Sequence, residues 1–326
     1  MEIYKEFKPG VANCGFKTVV TLGAFDGVHL GHRKIIDKVI ESSKKLGLQA
    51  AVLTFERHPV SVLNPKYSPK LLSTQDEKLE KLKKIGIDAV FVLKFSKSIA
   101  DMTAEQFITD YLINCLGMKH FIIGYDHKLG KDGVASSEIL QEFAIKHNFE
   151  LEIIQPIRKD GILVKSSVIR KHISEGNVSI ASLLLGENYS FSGKVVEGQG
   201  IGKILGYPTA NISPLSVEKI IPAHGVYGGW IEIDSEKKDA VISLGPNPTF
   251  NNSVESIEIH IPDFKGNLYG KTVRAGFVRK LRNIEKFKSK EELTSQIKND
   301  IESFITNPKN IKGEERNNGN YKRTKK

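Results

Sequence analysis

Residues 18–32 read Thr-Val-Val-Thr-Leu-Gly-Ala-Phe-Asp-Gly-Val-His-Leu-Gly-His, and this stretch decides the fold of the first half of the chain. The β-branched run at 18–22 predicts a strand that stops at a glycine. A helix is predicted next from apolar residues that share one face at a period of about 3.6: Ile35, Ile36, Val39 and Ile40. His29 and His32 therefore lie at or just before a helix N-terminus, after a glycine-rich turn.

The turn between this strand and this helix is suited to bind an anion. The first turn of a helix presents unpaired backbone N–H groups and the positive end of the helix dipole. Two imidazoles add hydrogen-bond donors, while Gly23, Gly27 and Gly31 allow the backbone to approach a ligand closely. Taken alone, His-x-x-His could also be two surface histidines. The surrounding glycines and Asp26 favour a phosphate site.

Length and composition indicate a globular protein with two domains. The chain has 326 residues, of which 40% are hydrophobic and 26% are charged. No opening segment resembles a signal peptide, and no apolar run approaches the ~20 residues that span a bilayer, so we expect a cytoplasmic protein with no membrane partner. Cys14 and Cys115 lack Cys-x-x-Cys spacing, which indicates neither a zinc site nor a disulfide framework.

The formal net charge of +10 is compatible with two kinds of partner. A large part of the excess lies in the last fifteen residues, and we expect residues 311–326 to form a disordered basic tail. The charge that remains on the folded part suits a protein that handles polyphosphates as well as one that binds RNA.

Strands alternate with amphipathic helices after the opening stretch. Further strands are predicted at 49–55, 89–95, 120–124 and 149–155. This alternation is typical of an α/β domain, a parallel sheet with helices on both faces and a site at the carboxyl ends of its strands. Unusual polar residues collect near three strand ends, at 54–59, 124–130 and 165–170. Each of these segments could also be an ordinary polar loop.

The pattern changes near Leu185, where helices become rare. Short alternating strands are predicted at 225–233, 239–244, 256–261 and 271–281. They indicate an antiparallel barrel or sandwich. One terminal helix, with Leu293, Ile297, Ile301 and Phe304 on one face, packs against it. We therefore expect domains at 1–184 and 185–310, followed by the tail.

The first half resembles the nucleotidyltransferases that condense a phosphate with a nucleoside triphosphate, in the bacterial FAD synthetase version. The matching motifs begin at Gly23, Thr54, Gly124 and Lys165, and four residues depart from the family pattern: Arg57, His127, Leu129 and Lys165. The resemblance implies a Rossmann-like domain in which His29 and His32 hold the triphosphate of ATP and Arg170 neutralises the departing pyrophosphate. It also implies a set of nucleotide-binding residues, namely Gly23, Phe25, Asp26, Gly27, Gly31, Asp126, Ser166 and Ser167.

The second half resembles riboflavin kinases, chiefly through Gly198-Gln-Gly-Ile-Gly-Lys-Ile-Leu-Gly-Tyr-Pro-Thr-Ala-Asn211. The resemblance implies that a loop containing Gly198, Gly200, Gly202 and Gly206 wraps the ATP phosphates. Thr209 and Asn211 would be ligands of Mg²⁺. The implied flavin-binding residues are Tyr227, Pro248, Thr249, Phe250 and Arg282.

Two carboxylates could be the general base of the kinase reaction. Glu255 and Glu258 are three residues apart on a strand, so they point to opposite faces and at most one serves a common site. The spacing to Asp263-Phe264 and Leu268-Tyr-Gly270 favours Glu258 by resemblance to the family.

From Thr18 to about Phe304 the chain thus resembles the bifunctional prokaryotic riboflavin kinase/FAD synthetase family. The implied activity is riboflavin + ATP to FMN + ADP in the second domain, then FMN + ATP to FAD + pyrophosphate in the first. Mg²⁺ would assist both steps, ATP would be the co-substrate, and no nucleic-acid partner is expected. Two alternatives remain: a riboflavin kinase whose other half is weak or uses another acceptor, and an RNA-binding protein on a similar scaffold. The oligomeric state stays open.

Overall fold

The structure, a computed structural model, describes residues 1–5, 7, 9, 14–64, 66–131, 136–247 and 252–305, with backbone alone at 247 and 252–255. By contacts the chain divides into two compact units: Met1–Lys171 with Val217–Ile220, and His172–Ser216 with the chain from Ile221 onward. The predicted tail at 311–326 lies outside the described residues, as do Pro248, Thr249, Phe250 and the side chain of Glu255.

The first unit is built on a six-stranded parallel sheet. Its strands are β1 (Glu2–Tyr4), β2 (Thr18–Leu22), β3 (Gln49–Phe55), β4 (Ala89–Leu93), β5 (Met118–Gly124) and β6 (Glu150–Ile154). They lie in the order β1-β4-β3-β2-β5-β6. The strands that follow β2 along the chain are added first on one side of it (β3, β4) and then on the other (β5, β6), so the strand order reverses between β2 and β5. The loops that follow these two strands flank the crevice where ligands bind in open α/β sheets.

Helices connect these strands. They are α1 (Leu30–Leu46), α2 (Pro59–Leu63), α3 (Gln75–Ile85), α4 (Lys97–Ala100), α5 (Ala104–Phe107), which continues as the π-helical segment Ile108–Cys115, and α6 (Ser137–His147). Two more helices follow β6: α7 (Ser166–Ser174), and α8 (Val178–Leu185), which belongs to the second unit. A short hairpin, β7 (Arg158–Lys159) and β8 (Ile162–Leu163), precedes α7. Gly47 and Gly86 end α1 and α3 in the left-handed conformation, so both caps follow the expected C-terminal pattern.

Apolar side chains cover both faces of the sheet. Val20 of β2 belongs to a cluster with Phe107 and Leu112, whereas its neighbour Val19 belongs to another cluster with Ile36 of α1. Successive strand residues point to opposite faces, and strands buried on both sides read as continuous apolar runs. The predicted α/β architecture with helices on both faces is thus confirmed.

The second unit contains a closed antiparallel barrel, which decides between the barrel and the sandwich that the sequence left open. Its strands are β9 (Tyr189–Val196), β10 (Thr209–Pro214), β11 (Gly225–Ile233), β12 (Glu236–Asn247), β13 (Asn252–His260) and β14 (Thr272–Arg282). They follow the order β10-β13-β12-β11-β14-β9, and β9 pairs with β10 to close the ring. Closure leaves no unpaired strand edge.

Besides α8, the described part of the second unit contains the one-turn α9 (Ile201–Ile204) and the terminal α10 (Lys290–Ile305). Leu293 and Phe304 of α10 are buried, as the apolar stripe predicted. A Cβ at Gly228 of β11 would overlap the Phe304 ring, so glycine permits this close packing. In the part of the chain that is described, no helix combines the length and apolar character needed to cross a bilayer.

Candidate functional site

The loop after β2 has an unusual backbone. Phe25 and Val28 have φ values of 49° and 47°, and Gly27 between them has 83°. Positive φ is uncommon for residues other than glycine and is an outlier for a β-branched residue such as Val28. Such conformations persist only where the surroundings fix them, and they concentrate at functional sites.

The Asp26 side chain makes several of the contacts that hold this loop in its conformation. Its carboxylate is 5% exposed and accepts hydrogen bonds from the backbone N–H groups of Leu72 (2.9 Å) and Ser73 (3.0 Å). The Nη2 of Arg170 lies 3.1 Å from the same carboxylate, and Gly27 N–H donates to Ser73 Oγ over 2.9 Å. The carboxylate of Asp26, a predicted nucleotide-binding residue, therefore joins the loop to a segment before α3 and to α7.

His29 and His32 form a stacked pair at the start of α1. Their ring centroids are 3.6 Å apart at an angle of 14°, and His29 Nδ1 accepts the backbone N–H of His32. Burial lowers the pKa of His29 from its ordinary value to about 4, against an opposing effect of Asp26. Burial also lowers the pKa of His32 well below its ordinary range. Both imidazoles are thus neutral near pH 7 in this environment.

The segment at the start of α7 contains further residues that the sequence predicts to contact the nucleotide. Ser166 Oγ donates to the carbonyl oxygen of Asp26 over 3.1 Å. Lys165, at the departure from the family motif, forms an ion pair with Asp126 (2.8 Å) and lies over the ring of Tyr125, 5.1 Å from its centroid. The Nε of Arg170 is buried without a hydrogen-bond partner among the described residues.

Two cavities meet at these residues. The smaller, about 280 Å³, is lined by both histidines, Tyr125 and Ser166–Ser167. The larger, about 810 Å³, is lined mainly by apolar side chains such as Phe55, Phe95 and Phe107. The residues that line both are His32, Ile35, Gly124 and Asp126. The cavities therefore share a wall at the carboxyl ends of β2 and β5.

Sequence reasoning missed Lys78 and Ser73. Lys78 is in α3 and only 7% exposed, and this burial lowers its pKa from 10.5 to about 8. Its Nζ donates to an oxygen of the loop that follows β2 and to two oxygens at the end of β3. Leu79 and Leu82 of the same helix are buried as well, and their apolar pattern gives no signal for a buried lysine beside them, because lysine is almost never fully buried.

The barrel brings the predicted kinase residues together on paired strands. Asn211 of β10 is the Cα partner of Glu258 of β13, and Thr209 is the partner of His260. Thr209 Oγ1 donates to Glu258 Oε2 over 3.0 Å. Glu258, Thr209 and His260 line a cavity of about 120 Å³, and Ser243, the Cα partner of Glu258 on β12, lines it too.

The glycine-rich loop folds tightly before β10. A Cβ at Gly198 would overlap the amide of Asn211, and a Cβ at Gly202 would overlap the carbonyl oxygen of Tyr207. Gly200 and Gly206 have positive φ values of 69° and 85°. The Asn211 side chain lies against this loop and is not in the wall of the described cavity.

The predicted flavin-binding residues are dispersed. Arg282 lines the barrel cavity, and its Nε donates to both carboxylate oxygens of Asp300 in α10, at 3.2 and 3.0 Å. Tyr227 is fully buried, donates its hydroxyl to the carbonyl oxygen of Ala223, and does not line the described cavity. The remaining members of this set, Pro248, Thr249 and Phe250, are not described.

The first domain has an open parallel sheet with stacked histidines at its switch point, and the barrel holds a carboxylate beside a glycine-rich loop. Together these features define a class of two-domain enzymes that act on nucleotide phosphates. Two family models match the chain, FAD synthetase at residues 13–168 and riboflavin kinase at residues 185–306. The chain belongs to the bifunctional riboflavin kinase/FMN adenylyltransferase family.

Several curated relatives carry that family name. The protein of Buchnera aphidicola subsp. Acyrthosiphon pisum is 36% identical over 87% of this chain and 91% of its own length. The Bacillus subtilis protein is 32% identical, over 89% and 92% of the two chains. The Escherichia coli K12 protein is also 32% identical, over 86% and 90%.

One solved structure is similar over nearly the whole chain. It is the crystal structure of a protein from Streptococcus pneumoniae that is named a macrolide-efflux protein. That protein is 31% identical and superposes with a TM-score of 0.85 over 94% of this chain and 99% of its own. The similarity shows that both chains share this architecture, and the name macrolide-efflux protein applies to the Streptococcus pneumoniae chain alone.

Proposed function

We propose that residues 1–184 form the domain that adenylylates FMN and that residues 185–310 form the domain that phosphorylates riboflavin. The enzyme uses ATP in both reactions, as its family does. The observation that carries the adenylylation assignment is the pair of cavities that share a wall at His32, Gly124 and Asp126. Two cavities with a common wall suit a reaction that joins two bound substrates, because each substrate keeps its own site and the reacting atoms meet.

In the first domain, ATP occupies the smaller cavity and FMN the larger. A phosphate oxygen of FMN attacks the α-phosphorus of ATP, a new P–O bond forms, and the bond to the β-phosphate oxygen breaks to release pyrophosphate. His29 and His32 donate hydrogen bonds to the triphosphate, together with N–H groups at the start of α7. Arg170 neutralises the pyrophosphate, a role that suits a permanently charged planar donor.

In the barrel, Glu258 is the general base. It accepts the proton of the ribityl hydroxyl of riboflavin as that oxygen attacks the γ-phosphorus of ATP, and ADP leaves. The Thr209 hydroxyl, 3.0 Å from the Glu258 carboxylate, holds this side chain toward the glycine-rich loop. Arg282 and Tyr227, with Pro248, Thr249 and Phe250, remain predicted flavin-binding residues.

The residues at the kinase site are compatible with Mg²⁺. Thr209 and Asn211 are two residues apart on β10 and therefore share a face, and both offer the oxygen donors that Mg²⁺ prefers. No group of three or more His, Cys, Asp or Glu side chains that could hold a metal occurs among the described residues. That fits an ion held by one or two protein oxygens together with substrate phosphates. When bound, Mg²⁺ neutralises polyphosphate charge and orients the transferred phosphoryl group.

Incubation of the purified protein with riboflavin, ATP and Mg²⁺, followed by separation of FMN from FAD, tests the proposal. We expect FMN first and FAD afterwards. FMN that accumulates without FAD, even when FMN is supplied directly, would instead support a riboflavin kinase whose first domain uses another acceptor. RNA binding that survives removal of the tail, with no flavin turnover, would support the RNA-binding alternative. The cytoplasmic location remains a prediction from the sequence.

A further inference from the structure

An imidazole of the barrel joins the strand that carries Glu258 to the segment before β10. His260 of β13 is partly buried, and its Nδ1 lies 2.9 Å from the carbonyl oxygen of Pro208, the residue directly before β10. The ring of Tyr207 packs edge-on against the same imidazole, with 5.5 Å between centroids and an interplanar angle of 77°. One side chain of β13 thus contacts both residues that end the glycine-rich loop.

The contact with Pro208 determines which nitrogen of His260 carries a hydrogen. A carbonyl oxygen only accepts hydrogen bonds, so the nitrogen that lies 2.9 Å from it donates. The neutral ring therefore carries its hydrogen on Nδ1 and leaves Nε2 as an acceptor. The protonated ring also has a hydrogen on Nδ1, so both protonation states make the bond to Pro208.

Pro208 can be held through one backbone group alone. Proline lacks an N–H, so its carbonyl oxygen is the only backbone atom that can form a hydrogen bond. The preceding residue is fixed by the loop itself, because Tyr207 N–H donates to the carbonyl oxygen of Gly202 over 2.8 Å. His260 therefore supplies the hydrogen bond that fixes the residue between the glycine-rich loop and β10.

The residue after Pro208 contacts the proposed base. Thr209 Oγ1 donates to Glu258 Oε2 over 3.0 Å, and Thr209 is also the Cα partner of His260. His260 and Glu258 are two residues apart on β13 and therefore share a face of the strand. These four residues thus form a closed series of contacts whose two ends lie on one strand.

We propose that the Nδ1–H bond of His260 to Pro208 positions Thr209 beside the base of the kinase reaction. This inference rests on the proposed phosphorylation of riboflavin in the barrel. His260 is a positioning residue, which acts through Thr209 on the orientation of the Glu258 carboxylate. Proton transfer requires this carboxylate within hydrogen-bond reach of the ribityl hydroxyl, so its misplacement lowers kcat. Loss of one such hydrogen bond corresponds to a change of about fivefold.

Steady-state kinetics of FMN formation from riboflavin and ATP test the inference with variants that keep different parts of the imidazole. The amide nitrogen of Asn takes the place of Nδ1, so His260→Asn should retain about half or more of the kcat. The amide of Gln reaches the place of Nε2 instead, and His260→Gln should lower kcat about fivefold while the KM for riboflavin changes by less than about twofold. His147→Gln, on α6 of the first domain, is the matched control and should change neither constant. Adenylylation of supplied FMN should be the same in all three variants.

A double-mutant cycle tests the route through Thr209. Thr209→Val removes the hydroxyl that contacts Glu258, so the bond to Pro208 no longer has an effect on the base. Addition of His260→Gln to this variant should therefore lower kcat by less than about twofold, against about fivefold in the unmodified protein. The same fivefold loss in both backgrounds would show that the imidazole does not act through Thr209 and would overturn the proposal.

Nitrogen NMR examines the bond without a variant. In the unmodified protein with nitrogen-15-labelled histidine, the neutral ring of His260 should carry its hydrogen on Nδ1. A hydrogen on Nε2 of the neutral ring would overturn the proposal, because Nδ1 would then be unable to donate to Pro208.

Failure of this inference and failure of the kinase assignment can be told apart. If the unmodified protein forms no FMN from riboflavin and ATP, the kinase assignment fails, and the inference fails with it. If FMN is formed and folded His260→Gln keeps its kcat within about twofold, or His260→Asn is the slower of the two variants, the inference is wrong while the kinase assignment stands. Should His260→Gln not fold, His260→Ala replaces it with the same expected ranking against His260→Asn.

Discussion

The side-chain nitrogen of Lys78 donates a 2.9 Å hydrogen bond to Oγ1 of Thr54, although the two residues belong to different elements, α3 and β3. The same ammonium lies 3.2 Å from the carbonyl oxygens of Ala24 and Phe55. It therefore joins the loop after β2 to the end of β3, directly behind the larger cavity, whose lining includes Ala24 and Phe55.

Lys78→Met should destabilise the first domain by about 1–3 kcal/mol, because buried oxygens lose their donor while the aliphatic volume is kept. Lys83→Met, an exposed position on the same helix, is the matched control and should change stability by less than about 0.5 kcal/mol. Urea denaturation measures both. Equal stability of the two variants would contradict a role for Lys78 in joining the loop after β2 to the end of β3.

Replacement of His29 or His32 by Ala should lower FAD formation by about two orders of magnitude or more, because preorganised donors to the triphosphate are lost. FMN formation should be intact, since the barrel does not use these side chains. His147→Ala, on α6 beside Glu105, controls for loss of an imidazole elsewhere. Parallel loss of both products in a folded variant would contradict the assignment of one reaction to each domain.

ATP binding at the adenylylation site should take up protons. Burial holds the pKa of His29 at about 4, and an adjacent polyphosphate favours the protonated ring and so raises that pKa. Because binding then adds a proton, ATP should bind more tightly as the pH falls from about 8 to about 6. Calorimetry in buffers of different ionisation enthalpy measures the number of protons that are taken up when ATP binds. The contribution of His29 is the number for the unmodified protein minus the number for His29→Ala. No difference between them would show that His29 remains neutral beside ATP.

Glu258→Gln should lower FMN formation by about two orders of magnitude or more, the usual contribution of a positioned general base. Adenylylation of supplied FMN should hardly change. Glu255→Gln is the comparison variant and should be much milder, because a separation of three residues along a strand predicts that the two carboxylates point to opposite faces. The reverse ranking in folded variants would transfer the role of base to Glu255.

The kinase domain should depend on α8 for its stability. Val178, Ala181, Leu184 and Leu185 of this helix are buried, and α8 packs against β9 and β14. A fragment that begins at His172 should make FMN, whereas one that begins at Gly186 should be less stable by on the order of 5 kcal/mol because these side chains are missing. Thermal unfolding and FMN formation measure the two. Equal stability would show that α8 belongs with residues before it.

Much of the architecture was predictable because its signals are local. The β-branched run at 18–22 and the apolar face of 35–40 each report the period of one element, and alternation of such elements is enough to indicate a parallel sheet. The strand at Glu2–Tyr4 was not predicted, because three residues are too few to show a period. The sequence also left barrel and sandwich open, since only the pairing of β9 with β10 distinguishes them.

The motifs at His29, Asp126, Ser166 and Thr209 were legible in the sequence, because a glycine-rich turn or a helix start imposes its residue types within a few positions. Tertiary structure alone decided that Asp26 binds Leu72, Ser73 and Arg170 and that Lys78 is buried beneath the loops. It also joined His260 to the carbonyl oxygen of Pro208. These features depend on groups far apart in the chain, and side-chain burial and hydrogen bonding are set by what packs around a residue rather than by its neighbours in sequence.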